Sequence, residues 1–288
     1  MKRKDFILNG ILTSLSAGFF FSKNLKAQNL NEIELLKSIG HNHIPNNETK
    51  TMHTVLHKAE TRGQADHGWL KAKHSFSFAN YRNPERMNFG VLRVLNDDII
   101  KGGKGFPSHP HDNMEIITIP LSGSIYHKDN MGNESKISSG DIQVMSAGTG
   151  VYHSEFNANE LMDLKLLQIW LFTNKKDVKP RYQQIPIRNI SLKNEFYQIL
   201  SPNESDQGVW IYQNAWFHLG SFDEAVTKTY KIRDSKNGLY AFIIDGEAEI
   251  EDQKLNKRDG FGIWEKNEIS IEAKANSKIL LMDVPMYV

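Results

Sequence analysis

The chain has 288 residues, 39% hydrophobic and 24% charged, which is the composition of a folded protein with room for two domains of ordinary size. Its 35 basic and 34 acidic residues leave a formal net charge of +1, so nothing points to nucleic acid or an anionic membrane as a partner. There is no cysteine, which excludes disulfide frameworks, thiolate zinc sites and cysteine nucleophiles and leaves nitrogen and oxygen ligands for any metal.

The first segment, "MKRKDFILNGILTSLSAGFFFSKNLKAQ", opens with Lys2, Arg3 and Lys4 and then runs mostly apolar from Phe6 to Phe21. Ala27 stands where a cleavage site is expected. The run is short and polar for a stable membrane span, and its anatomy is that of an export signal. "RKDFI" is similar to the twin-arginine export motif with Lys4 in place of the second arginine, and Lys23 and Lys26 suit that route. Residues 1–27 are therefore expected to direct export, to the periplasm. The alternative is an uncleaved N-terminal helix on a cytoplasmic protein. Residues 28–52 are polar and are expected to be a linker. His41 and His43 lie there among Gly, Asn and Pro, with no strand to position partners, and are not counted as a metal site.

From residue 53 the pattern becomes short alternating segments punctuated by Gly, Asn, Asp and Pro: "TVLHKA", "HSFSFANY", "FGVLRVLNDDII", "MEIITIPLSGSIYHK", "DIQVMSAG", "DLKLLQIWLF", "VWIYQNAWFHLGSF", "LYAFIIDGEAEIED" and "ISIEA". No long helical period follows residue 52. An all-β barrel or sandwich is expected. "IPLSGSIYHKDNMGNESKISSGDIQVM" (119–145) lines up with "FIIDGEAEIEDQKLNKRDGFGIW" (242–264), each with a strand, a glycine turn, a polar hairpin and a glycine beside an aspartate. The repeat suggests a duplicated barrel: an N-terminal domain over 53–175 carrying the chemistry, and a C-terminal one over 176–288. "TNKKDVKPRYQQIPIR" (173–188) reads as the connection. The second domain holds a single histidine, His218, and is expected to bind no metal.

The chemistry concentrates in "FPSHPHDNMEIITI" (106–119) and "GTGVYHSEFN" (148–157). Residues i, i+2 and i+6 of a strand point the same way, so His109, His111 and Glu115 are expected to share a face. His153 and Glu155 are again i and i+2. Imidazole and carboxylate together suit iron, manganese, nickel, copper or zinc, and a six-coordinate ion held by four of these groups keeps two positions open. A lone buried histidine is usually a hydrogen-bonded core residue. Three imidazoles and a carboxylate converging in a barrel are costly to bury without a cation. Phe106, Met114 and Phe156 flank the ligands and are candidates to line a pocket, ordinary core packing being the simpler reading for each.

Gly103-x5-His109-x-His111-x3-Glu115 resembles the first cupin motif, and Gly140 to Asn157 resembles the second. Within the cupins, "HPHDNMEIIT", "SGDIQVMSAGTGVYHSEFN", "LLQIWL", "DHGWLKAKHSFSFANY" and "NFGVLRVLNDD" are similar to the pirin family, a resemblance that runs from about residue 53 to the C-terminus. It implies two jelly-roll-like cupin barrels in one chain, a bicupin, with one metal ion in the N-terminal barrel. It implies Fe(II), with Zn, Mn, Ni and Cu as alternatives, bound by His109, His111, His153 and Glu155. In ordinary cupins the carboxylate is that of the first motif, here Glu115, which stays as the alternative or a supporting carboxylate. Two extra residues between Gly148 and His153, and Ser146 in place of a usual proline, depart from the general cupin pattern. Some bacterial pirins resemble quercetin 2,3-dioxygenases, which implies a flavonol substrate opened by dioxygen, with Glu155 or Glu115 as catalytic base. The rival reading is a non-catalytic metal-binding pirin with a regulatory or interaction role. A monomer is expected.

Overall fold

The computed structural model describes residues 52–287. The export signal, nearly all of the linker, and His41 and His43 lie outside the described residues. Within them the fold is two β-barrels, each a seven-stranded sheet packed on a four-stranded one. In the first barrel the large sheet runs, in spatial order, Arg181–Pro186, Asp141–Ser146, Met114–Ser122, Leu164–Phe172, Leu92–Ile100, Leu70–His74 and Gly63–Asp66. Its small sheet runs Gly105–His111, Val151–Asn157, Ser124–Asp129 and Glu134–Ser138. The second barrel repeats this order. Its large sheet is His53–His57, Gly260–Trp264, Asn237–Asp245, Ser277–Pro285, Trp216–Phe222, Phe196–Ser201 and Val209–Trp210. Its small sheet is Val226–Lys231, Glu268–Ala273, Glu247–Ile250 and Gln253–Asn256.

The expected repeat is thus a structural one, and its punctuation has a physical cause. Gly123 and Gly246 turn the chain between the same pair of strands at φ of 81° and 72°, a region open to glycine without strain. Asp141 accepts from the Ser138 amide at 3.0 Å, and Asp259 from the Asn256 amide at 2.9 Å, so each aspartate closes the turn three residues behind it. One strand is exchanged in each direction. His53–His57 precedes the first barrel yet pairs with Gly260–Trp264 in the second, while Arg181–Pro186 precedes the second barrel yet pairs with Asp141–Ser146 in the first.

The outer faces of the two large sheets form one shared core, in which Leu95, Ile117, Ile142 and Leu167 join Ile199, Phe217, Phe242 and Met282. Strands buried on both faces read as continuous apolar runs, which is why "LLQIWLF" and "ILLMDVP" do not alternate. The second barrel is filled by Ile250, Ile269, Ile271, Ile279 and Leu281 among others. Two expected strands differ. "HSFSFANY" leaves the sheet after His74 and keeps only the bridge between Phe78 and Tyr81. "VWIYQNAWFHLGSF" is two strands, Val209–Trp210 and Trp216–Phe222. Among the described residues no helix is long and apolar enough to cross a membrane.

Candidate metal centre

His109 and His111 end the strand Gly105–His111, an edge strand of the small sheet, where Pro107 and Pro110 are tolerated because one side of it needs no ladder hydrogen bonds. The neighbouring strand Val151–Asn157 carries His153 and Glu155. The two lie so close that a Cβ on Gly105 would stand 2.1 Å from the Glu155 carbonyl oxygen. His153 is the direct cross-strand partner of His109, and the register then slips so that Glu155 faces Phe106. The ring centroids of His109, His111 and His153 form a triangle with sides of 4.4, 4.9 and 4.9 Å.

Hydrogen bonding presents these rings as ligands. His109 Nδ1 lies 2.8 Å from the Pro107 carbonyl, which only accepts, so the proton sits on Nδ1 and Nε2 keeps its lone pair. His153 Nδ1 contacts His127 Nδ1 at 3.4 Å, and its buried Nε2 has no partner among the described residues. Burial, then the neighbouring His109, lowers His111 to about 4. Burial, then the charges of His109, His111 and His127, lowers His153 to about 2. Both are therefore neutral near pH 7, the form that binds a metal. Three nitrogen donors whose ligand atoms lie within 4.8 Å of one another, one of them buried and unpaired, fit a divalent ion of the transition series.

Glu155 is wholly buried beside His153. Gln168 Nε2 donates to its two oxygens at 2.9 and 3.0 Å, and Thr118 Oγ1 approaches at 3.5 Å. Burial raises its carboxyl to about 7 against these hydrogen bonds. Glu115 is elsewhere, and the expectation that it shares a face with His109 and His111 is corrected. The chain turns at Asp112–Asn113, with Asn113 at φ 43°, and Glu115 lies on Met114–Ser122 in the other sheet. There it accepts from Ser146 Oγ at 2.5 Å, Thr173 Oγ1 at 3.3 Å and the Tyr212 amide at 3.2 Å, fastening the first barrel to the second. The converging ligand atoms form two groups that share His153, one of His109, His111 and His153 and one of His127, His153 and Glu155, and Glu115 belongs to neither.

The cluster opens on a cavity of about 170 Å³ with apolar walls that include Leu70, Phe78, Phe106, Ile116 and Trp170. Of the three expected lining residues only Phe106 is there. Phe156 is 39% exposed on the outer face, and Met114 packs on Ile116 and Met145. Four buried polar atoms without partners belong to residues of this cavity: His153 Nε2, Asp98 Oδ1, Gln168 Oε1 and Trp170 Nε1. Burial, then the charges of Asp97 and Glu155, raises Asp98 to about 8. Reasoning from sequence missed Asp98, Gln168, His127 and Asp129. His127 and Asp129 did leave a signal, an i, i+2 polar pair on the inward face that Ile125 begins.

The structural correspondence explains why the second barrel lacks such a cluster. Counting from Gly123 and Gly246, His127 corresponds to Ile250, and the cross-strand pair Glu155–His127 corresponds to Ile271–Ile250. His153 then corresponds to Ile269, so isoleucines fill the space that polar ligands occupy in the first barrel. His218 is bonded to Tyr230 and Arg233 at 3.2 Å each.

Comparison with known proteins agrees with this architecture. The family model described as Pirin matches residues 54–171, and the one described as Quercetinase C-terminal cupin domain matches residues 198–284. The chain belongs to the pirin family. A curated relative, quercetin 2,3-dioxygenase of Escherichia coli K12, is 38% identical over 230 residues, covering 80% of this chain and 98% of the relative. A pirin-like protein of Caulobacter vibrioides is 40% identical over 222 residues, 77% of this chain and 95% of its own. Among solved structures, the bacterial pirin YhhW of Escherichia coli in complex with nickel(II) superposes with a TM-score of 0.77 at 37% identity, covering 82% of this chain and all of that one.

Proposed function

We propose that this pirin is a metal-dependent dioxygenase of the quercetin 2,3-dioxygenase type, opening a flavonol ring with dioxygen and releasing carbon monoxide. The observation that carries the proposal is the convergence of His109, His111 and His153, with the buried Glu155 carboxyl next to His153 and all four lining one apolar cavity. The names of the curated relatives support it. His109, His111 and His153 would hold the ion with Glu155 as the fourth ligand, and Fe(II) is the proposed ion, with Ni, Zn, Mn and Cu suited to the same donors. The ion, when bound, supplies positive charge that favours the deprotonated flavonol and a centre at which dioxygen reacts.

The chain's own residues do the rest. Glu155 lines the cavity beside His153 and is the proposed base for the hydroxyl proton, while Gln168 Nε2 holds its two oxygens in place. Phe78 and Trp170, edge to face at 5.4 Å, offer flat apolar surfaces to a planar ligand and exclude water from the reacting face. Residues 1–27 are proposed to direct export to the periplasm, which N-terminal sequencing from the native host tests. The chain is proposed to act as a monomer, which size-exclusion chromatography with light scattering tests.

The test of the reaction is oxygen-dependent loss of the quercetin absorbance band with carbon monoxide release. The rate should fall to the uncatalysed level in metal-stripped protein and return when iron is added. Quercetin autoxidises, so equal rates for metal-loaded and metal-stripped protein across several flavonols would overturn the proposal.

A further inference from the structure

Behind the histidine triangle lies a buried pair that the proposed reaction does not use. His127 is fully buried and Asp129 nearly so, on the inward face of Ser124–Asp129. That strand pairs with Val151–Asn157, setting His127 opposite Glu155 and Asp129 opposite His153. Asp129 Oδ1 accepts from the amides of Met131 and Asn133 at 2.9 Å each, and Oδ2 from Asn133 Nδ2 at 2.8 Å. Three N–H donors already point at this carboxyl, which makes it an acceptor toward His127 Nε2, 3.1 Å away.

One direction of hydrogen bonding follows along the row. With its proton on Nε2, neutral His127 has a bare lone pair on Nδ1. The 3.4 Å contact between the two Nδ1 atoms is a hydrogen bond only if His153 donates. His153 then carries its proton on Nδ1 and is left with an unprotonated Nε2, the buried atom that has no partner among the described residues. We propose that Asp129 and His127 are positioning residues that fix the tautomer and ring orientation of His153, so that Nε2 faces the ion. The inference rests on the metal-site reading and not on the dioxygenase reaction. His127 is also close enough to His153 and Glu155 to be a ligand itself. Asp129 argues against that, because it occupies Nε2 while Nδ1 is turned to His153. In the second barrel, where isoleucines replace the ligands, Ile250 stands in the place of His127.

The test needs no substrate. Long-range ¹H–¹⁵N NMR on the full chain with labelled histidine reads the tautomer of His153, without metal and with diamagnetic zinc. The expected result is a proton on Nδ1 in both states and zinc on Nε2. A wild-type His153 protonated on Nε2, or bound to zinc through Nδ1, overturns the proposal. Nickel affinity by chelator competition gives the second readout. Asp129→Asn and His127→Leu should bind nickel roughly 10- to 100-fold more weakly with unchanged near-ultraviolet circular dichroism. His127→Gln, whose carbonyl can accept from His153 while its amide donates to Asp129, should restore most of that affinity. Wild-type affinity in His127→Leu removes the relay. Loss of binding in His127→Gln as complete as in His109→Ala makes His127 a ligand instead. Because only tautomer and affinity are measured, a negative result here leaves the flavonol assay to be decided separately.

Discussion

Asp98 offers the sharpest test of how this cavity is built. Its carboxyl is buried, Oδ1 has no partner among the described residues, and it is raised from 3.8 to about 8. The sign follows from linkage. An acid whose folded pKa is raised binds a proton on folding throughout the interval between its two values. Its contribution is complete below about pH 4 and is lost as pH rises through 8. Each pH unit in that interval removes about 1.4 kcal/mol, so from pH 5 to pH 8 the wild type should lose up to about 4 kcal/mol through this group. Water entering the cavity reduces that figure, and about 2–4 kcal/mol is the expected range. Asp98→Asn keeps the shape and cannot ionise, so this part of the loss should vanish, leaving the smaller decline that Glu155, raised to about 7, gives to both proteins. Urea unfolding of metal-free protein at pH 5, 6, 7 and 8, followed by tryptophan fluorescence, reads the difference between wild type and variant. His111 and His153, whose pKa values are lowered, add stability that is lost only as pH falls below about 6.5, so they shape the acid side of both curves alike. Parallel pH profiles for wild type and Asp98→Asn would refute the reasoning.

His111→Ala should abolish tight metal binding by elemental analysis while circular dichroism stays that of the folded barrel, since the shared core does not include this half-exposed ring. Glu155→Gln should weaken metal affinity more than Glu115→Gln does. Glu115→Gln should instead lower stability by about 1–3 kcal/mol in denaturant melts, because Ser146, Thr173 and Tyr212 lose a charged acceptor. The opposite ranking in metal titrations would move the carboxylate assignment to Glu115. Anomalous scattering from metal-soaked crystals should show one site per chain, in the first barrel. Ile271→Glu, which places a carboxyl at the position of Glu155 without partners, should cost several kcal/mol in thermal and chemical melts rather than create a second site.

The all-β class, the duplication and the pirin kinship were all legible in the chain. Strand alternation, glycine turns and the aspartate that closes each turn act over two to four residues, and such signals survive in a linear reading. The pairs His109 with His111 and His153 with Glu155 were legible for the same reason, since a period of two fixes which residues of one strand share a face. The reading failed where it carried that period across a turn. Asn113 at φ 43° ends one strand and starts another in a different sheet, and Glu115 goes with the second. Phe156 failed similarly, because its position one residue from Glu155 turns it outward.

What the sequence determined by itself was the inventory: nitrogen and oxygen ligands, no thiolates, and two barrels of which one carries the histidines. Tertiary structure decided which groups meet. The register of Val151–Asn157 between two neighbours sets His153 beside His109 on one side and against His127 and Asp129 on the other, a relation between strands that chain order does not encode. The strand exchange between barrels is of the same kind. His53–His57 finds its partner some 200 residues away, at Gly260–Trp264, because an exposed edge of backbone hydrogen-bonding groups must be covered by whatever segment the packed sheets bring alongside it.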